Sequence, residues 1–114
     1  MTKIEELFEE IRDLDKLDLC SLSEAFCKLS EEFGELAQGV CMTLGRKNTD
    51  LSDYDIRENI KEEVVDLIMN TFLVAQRYDI TLVEIEETMS KKNKKWRSKI
   101  PLRQAKRIKK DIQN

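Results

Sequence analysis

The fold of this chain can be inferred outward from residues 23–44, SEAFCKLSEEFGELAQGVCMTL. Its apolar residues recur at steps of three and four, which predicts one amphipathic helix. They are Phe26, Leu29, Phe33, Leu36, Ala37, Val40 and Leu44. The same helix carries a first acidic cluster, made of Glu31, Glu32 and Glu35. At about 100° per residue, Glu32 and Glu35 project together at the edge of the apolar face. They repel each other and lose solvation there, and a cation between them would relieve both effects.

A solvated charged face is the alternative interpretation of the first acidic cluster taken alone. A second acidic cluster downstream favours a metal site. In it, Glu63 and Asp66 are three residues apart, and a helical wheel places them in one polar band with Asn59 and Asn70. Apolar strips border this band on both sides, which is typical of a cleft between packed helices rather than of a solvated face.

The composition favours one all-α domain over residues 1–114. Charged residues make up 38% of the chain, and three glycines and one proline leave few turn formers for a β-rich fold. Apolar periodicity and capping residues predict four main helices, at about 3–17, 23–44, 54–78 and 82–98. Pro101 is expected to end the fourth helix, so that residues 98–114 form a basic C-terminal extension, either a short helix or a frayed tail.

Cysteine usage and hydropathy indicate a cytoplasmic protein that does not enter a membrane. No run approaches the roughly 20 apolar residues that a membrane helix needs, and the acidic N-terminal segment does not look like a secretory signal. Cys20, Cys27 and Cys41 lack paired-ligand spacing and the chain has no histidine, so a zinc site is not expected. Any metal would be bound by oxygen atoms, which favours Mg²⁺, with Mn²⁺ as the second choice.

The net charge of −3 hides a strong asymmetry. Residues 1–90 hold 9 Lys/Arg and 22 Asp/Glu, a balance of −13, whereas residues 91–114 hold 11 Lys/Arg and one Asp, a balance of +10. A basic end on an acidic body can fold back on it, pair with a second subunit or hold a polyanion. Nucleic acid is disfavoured as the partner, because the acidic body repels phosphates.

Two groups of basic residues are candidates for contacts with phosphate. Arg46 and Lys47 follow the acidic helix, where they either complement its dipole or reach a phosphate. In the fourth predicted helix, Lys92 and Asn93 share a face with Trp96. Lys92 either meets phosphate oxygens or extends over a hydrophobic edge with its ammonium group in water.

With both clusters in place, the chain resembles the MazG-like, all-α NTP pyrophosphatase superfamily, whose signature is EExxE, a spacer and ExxD. The signature stands here as Glu31-Glu32-Phe33-Gly34-Glu35 and Glu63-Val64-Val65-Asp66, with residues 36–62 as the spacer. The resemblance covers roughly residues 22–97. It implies a four-main-helix MazG-like bundle, completed by association into a homodimer or homotetramer.

The resemblance also implies a function and the roles of particular residues. Members of the family hydrolyse nucleoside triphosphates to monophosphates and pyrophosphate, often to remove surplus or non-standard dNTPs, with Mg²⁺ as cofactor. The implied metal ligands are Glu32, Glu35, Glu63 and Asp66. Glu31 takes an outer, water-orienting role. Asn70 resembles a position that contacts the sugar or base, and Lys92 and Asn93 match loosely the positions that contact phosphates.

The residue types support this chemistry on their own. Four carboxylates would repel a triphosphate unless a divalent cation lay between them, and that cation would activate a water and stabilise charge at the attacked phosphorus. Glu31 or Glu35 is free to take the proton of the attacking water. The alternative is a non-catalytic helical interaction module whose acids are surface charges and whose basic tail docks an acidic partner.

Overall fold

The computed structural model describes residues 1–45 and 50–113, and over these residues it contains four α-helices and no strand. The all-α prediction is therefore confirmed. The helices are α1 (Lys3–Asp18), α2 (Leu22–Thr43), α3 (Asp53–Arg77) and α4 (Leu82–Gln113). They form two compact units, Met1–Ile80 with the first three helices and Thr81–Asn114 with α4. No helix in the described residues is long and apolar enough to span a membrane.

Short polar side chains begin all four helices, as their sequences predicted. The hydroxyls of Thr2, Ser21, Ser52 and Thr81 each accept a hydrogen bond from the backbone N–H three residues later, at 3.1–3.3 Å. At Thr2 and Thr81 the glutamate three residues on also accepts from the cap's own N–H, which completes a capping box. Each cap satisfies a backbone donor that the helix cannot pair internally, so these starts are fixed locally.

Residues in the left-handed backbone region end the first unit's helices. Gly45 has φ +70° just beyond α2, where a glycine adopts this conformation without steric cost. Leu19 follows α1 with φ 57° and Asp79 follows α3 with φ 58°. The predicted boundaries of α1, α2 and α3 agree with the structure to within one residue.

In the first unit, α3 packs against both α1 and α2. Ala25 is only 2% exposed, and a Cβ on Gly39 would lie 3.2 Å from Cγ1 of Ile60, so small residues let α2 approach α3 closely. On the other side, the rings of Phe8 and Phe72 meet edge to face, with centroids 5.0 Å apart. The contact of Gly39 with Ile60 brings α2 next to α3, and the aromatic pair packs α1 against α3.

The carboxyl end of α3 is tied to α1 by polar contacts across the unit. Arg77 donates to both carboxylate oxygens of Asp15, at 2.5 and 2.7 Å, and to the carbonyl of Cys20 at 2.5 Å. Gln76 donates to the carbonyl of Phe8 at 2.6 Å. Two residues of α1 and Cys20, just beyond it, thus contact two neighbouring residues of α3 that lie 57–68 residues later in the sequence.

The second unit corrects one prediction. The fourth helix does not end at Pro101 but continues through it to Gln113, so residues 98–113 prolong α4 rather than forming a separate segment. Proline costs a helix interior about 3 kcal/mol, because it removes one hydrogen bond and crowds the carbonyl four residues earlier. Here the side chains around Pro101 are exposed, which lets water reach that carbonyl, and the flanking lysines, arginines, Gln104 and Ala105 are good helix formers.

Candidate functional site

Three of the predicted metal ligands meet between α2 and α3. Glu32 from α2 and Glu63 and Asp66 from α3 each offer a carboxylate oxygen, and these oxygens all lie within 4.8 Å of one another. The spacing of three residues puts Glu63 and Asp66 on the same side of α3. The close approach of α2 at Gly39 and Ala25 brings Glu32 to that side. The structure therefore brings together acids that are more than 30 residues apart in sequence.

The carboxylates of this cluster lack compensating partners. Oε2 of Glu32 and Oε2 of Glu63 are buried and have no hydrogen-bond partner among the described residues. A buried carboxylate is stable only when a hydrogen-bond donor or a cation compensates its lost hydration. Both oxygens belong to the cluster, so it presents unsatisfied negative charge at one point between two helices.

The pKa of Glu63 is raised from 4.5 to about 7. The first cause is its hydrogen-bonding contact with Glu35, which favours a proton on Glu63, and the second is burial. Repulsion by the Glu35 charge and contact with Glu32 add to the shift. A group with this pKa is half-protonated near neutral pH, and a divalent cation at the same place would replace the proton.

The pKa of Glu32 is raised as well, chiefly because burial penalises its charged form. The negative charges of Glu35 and Asp66 contribute further, whereas a proton donated by Glu63 opposes the shift. The negative charges of Glu35 and Asp66 thus make Glu32 harder to ionise, and Glu35 and Glu32 have the same effect on Glu63.

The remaining two acids of the first cluster lie outside this trio. Glu35 is exposed and contacts Glu63, but the set of oxygens that lie mutually within 4.8 Å does not include it. Glu31 is also exposed and does not belong to the set. Both remain accessible to solvent beside the cluster, as a residue that exchanges protons with water must be.

A cavity of about 630 Å³ opens beside the cluster, bounded by α1, α2 and α3. Glu32, Asp66 and Asn70 form part of its polar wall, and Leu14 and Leu73 belong to its apolar wall. Asn70 is 9% exposed, and its Nδ2 donates to the carbonyl of Asp66 at 2.8 Å. That bond fixes the side chain one helical turn from the acids.

Lys28 is a cavity residue that the sequence reasoning missed. It lies on α2 one turn before Glu32 and lines the same cavity with its cationic side chain. The i, i+4 spacing to Glu32 was the available signal, because such pairs lie on one side of a helix. A cation in this position can meet an anionic group that enters beside the carboxylates.

The other predicted contacts with substrate are located elsewhere in the chain. Lys92 and Asn93 lie on α4 in the second unit, where both are exposed and line one surface depression. The prediction that Arg46 or Lys47 reaches a phosphate concerns residues outside the described part of the chain.

Comparisons of the chain with protein-family models, with curated protein sequences and with solved structures found no match.

Proposed function

We propose that this protein is a Mg²⁺-dependent nucleoside triphosphate pyrophosphohydrolase, which converts (d)NTPs to (d)NMPs and pyrophosphate in the cytoplasm as nucleotide-pool housekeeping. The observation that carries the proposal is the convergence of Glu32, Glu63 and Asp66 with two buried oxygens that have no partner. A cation compensates the negative charge of acids in this arrangement better than solvent or contacts between the acids can.

The donor set fits a hard divalent cation. Glu32, Glu63 and Asp66 supply only oxygen ligands, which Mg²⁺ prefers, with Mn²⁺ as the second choice. Glu35 would complete the set from one turn further along α2. When bound, such a cation supplies positive charge that attracts triphosphate oxygens and stabilises the charge that develops at the attacked phosphorus.

The chain's own residues account for substrate binding and proton transfer. The apolar wall of the cavity, with Leu14 and Leu73, can receive a nucleobase, and the amide of Asn70 can orient the sugar or base. Lys28 would bind phosphate oxygens in this cavity, and the roles of Lys92 and Asn93 in phosphate binding stay predictions from the sequence. Glu35 or Glu31 would accept the proton of the attacking water at a carboxylate oxygen, since both are exposed to solvent.

A panel of dNTPs and NTPs with Mg²⁺ tests this proposal. Wild-type protein should release equal amounts of pyrophosphate and nucleoside monophosphate from at least one of them. Glu63→Gln should lose at least 100-fold in rate, in keeping with the loss of an electrostatic catalytic contact. Glu62→Gln is the matched control, because it makes the same charge change at the adjacent exposed position, and its rate should stay within about threefold of wild type.

Two outcomes of that panel would contradict the proposal. Full activity of Glu63→Gln would show that the acidic cluster does not carry the chemistry. Absence of pyrophosphate with every base would favour the alternative, a non-catalytic helical module that docks an acidic partner through its basic α4.

We also propose that the chain works as a homodimer or homotetramer. Phe26, Phe33 and Val40 recur every seven residues along α2 and are 60%, 63% and 42% exposed, so an apolar row on this helix has no cover. A second copy offering the same row would bury both rows, as twofold interfaces do. Light scattering should give at least twice the chain mass for wild type and a lower mass for Phe33→Asp. A monomer mass for wild type would contradict this.

A further inference from the structure

A single row of basic side chains runs along α4. We call it the basic stripe, and it consists of Lys92, Lys95, Lys99, Arg103, Lys106 and Lys110. Its members are separated by three, four, four, three and four residues, so they follow one another along the same side of the helix. At 1.5 Å per residue the row extends over about 27 Å. All six side chains are exposed.

The stripe exists because α4 continues through Pro101. Lys92, Lys95 and Lys99 precede the proline, and the other three members follow it. A helix that ended at Pro101 would leave two short groups of cations with no fixed register between them. The continuous helix instead places all six charges in one row.

Carboxylates do not neutralise this row within its own helix. Residues 92–110 contain ten Lys/Arg and no Asp or Glu. Within the described part of the second unit, no stripe residue pairs with a carboxylate of α4. Lys95, Lys99 and Arg103 lie at least about 12 Å along the axis from Glu87 and from Asp111, which exceeds the screening length of about 8 Å at physiological salt, whereas the ends of the row have an acid closer by. Like charges at this spacing destabilise a helix, and a bound polyanion would relieve the repulsion.

An exposed aromatic ring accompanies the cations. Trp96 is 58% exposed and lines a depression of about 350 Å³ together with Lys92, Asn93, Lys95, Lys99 and Arg103. An aromatic surface beside a row of cations is the combination that binds single-stranded nucleic acid, since bases stack on the ring while phosphates meet the charges.

We propose that the basic stripe binds the backbone of single-stranded nucleic acid, with one base stacked on Trp96. A membrane surface fits less well, because Leu102 and Ile108 lie about 120° apart around the helix with Lys94 and Lys109 between them, so these residues form no continuous apolar side. An acidic protein would match the charges but would give the exposed ring no planar partner. This inference reverses the expectation, drawn from the charge of the acidic body, that nucleic acid is disfavoured, because residues 92–110 carry ten Lys/Arg and no acid. It concerns the second unit and does not depend on nucleotide hydrolysis by the first.

Fluorescence anisotropy of a labelled oligothymidylate, titrated with the full chain, is the first test. Binding should be detectable at about 50 mM salt and should weaken steeply as salt increases. Contacts to six phosphates predict a slope of about −4 for log K against log salt, at about −0.7 per phosphate on a single strand. No binding at low salt, or a slope shallower than about −1, would overturn the proposal.

Charge-reversal variants on and off the stripe show whether the oligonucleotide binds to this surface or is only attracted by the overall positive charge of α4. The triple variant Lys99→Glu, Arg103→Glu and Lys106→Glu should weaken binding at least 10-fold. The matched control reverses Lys94, Arg97 and Lys109, which lie on other sides of α4, and should weaken binding no more than about threefold. Circular dichroism shows whether each variant keeps its helix content. Equal losses in the two variants would overturn the proposal.

The single tryptophan and a competing polyanion complete the test. Because Trp96 is the only tryptophan of the chain, quenching of its emission by the oligonucleotide reports stacking directly, and unchanged emission at saturation would overturn the stacking contact. Polyglutamate of matched charge should compete only weakly with the oligonucleotide. Tighter binding to polyglutamate would overturn the choice of nucleic acid and assign the stripe to an acidic protein.

Discussion

Glu32 and Glu63 each keep one buried carboxylate oxygen without a partner, and the pKa of both side chains is raised. Burial and mutual repulsion act in the same direction here, since both penalise the charged form. Arrangements of this kind are often found at functional sites, because a carboxylate cluster that served stability alone would be replaced by satisfied or apolar groups. The cluster of Glu32, Glu63 and Asp66 therefore destabilises the folded protein near neutral pH when no metal is bound.

The raised pKa of Glu63 predicts how stability depends on pH. Its folded pKa of about 7 lies above the ordinary 4.5, so the folded state holds this proton more tightly than the unfolded state. Its contribution to stability is complete below about 4.5 and is lost as the pH rises through about 7. With a chelator present, Glu63→Gln should therefore raise the melting temperature more at pH 8 than at pH 5, as measured by calorimetry.

Glu62→Gln serves as the control for that experiment. It removes one exposed charge next to the cluster and should change the melting temperature similarly at both pH values. An equal effect of Glu63→Gln at pH 5 and pH 8, or a lower melting temperature than wild type at pH 8, would contradict the raised pKa of Glu63.

Part of the site could be predicted from sequence because it follows the period of a helix. The spacing of three residues places Glu63 and Asp66 on one side of α3, and the border of an apolar face locates Glu32. Which acids come within 4.8 Å of one another depends on how closely α2 and α3 approach. Helical periodicity does not contain that distance, so it places Glu35 and Lys28 on the side of Glu32 without deciding which oxygens come closest together.

At the level of the helices, the first residues could be predicted from the sequence, whereas contacts between residues distant in sequence could not. The caps at Thr2, Ser21, Ser52 and Thr81 act within three residues, so they can be recognised in sequence. α4 continues past Pro101 because many good helix formers around the proline offset the one backbone hydrogen bond that it removes. The proline alone therefore does not predict where the helix ends. The pair of Asp15 and Arg77 joins residues 62 apart, and no local pattern marks it.

The Asp15–Arg77 pair should be a principal tie between α1 and α3. Their side chains are only 9% and 25% exposed, and the contact uses two parallel hydrogen bonds. Asp15→Asn should destabilise the protein by about 2–4 kcal/mol in denaturant unfolding, because it leaves Arg77 partly buried and unpaired. Asp13→Asn, at an aspartate that is 68% exposed, should cost less than about 0.5 kcal/mol.

The same pair predicts sensitivity to acid. The hydrogen bond from Arg77 holds the pKa of Asp15 below its usual 3.8. A lowered folded pKa stabilises the protein above the unfolded value, and this contribution is lost as the pH falls through the folded pKa, below 3.8. The difference in stability between wild type and Asp15→Asn should therefore shrink as the pH falls below 3.8, and a difference that stays constant down to pH 2 would contradict the ion pair.

At the scale of the whole molecule, charge is divided between the two units. The acids converge on the cluster of the first unit, whereas the second unit carries the basic stripe and lacks acids over residues 92–110. The asymmetry was visible in the sequence, but the single row of cations was not, because it requires α4 to be continuous. The two surfaces suit different partners, a divalent cation with a triphosphate for one and an extended polyanion for the other.

Thermal unfolding with and without Mg²⁺ tests the central claim most directly, since the claim is that Glu32, Glu63 and Asp66 share a divalent cation. A ligand at about 10 times its Kd stabilises the folded state by about 1.4 kcal/mol, which raises the melting temperature of a domain of this size by several degrees. Mg²⁺ should raise the melting temperature of wild type and Glu62→Gln by this amount and should leave Glu63→Gln within about one degree of its value in chelator. An unchanged wild type, or an equal rise in Glu63→Gln, would contradict the account.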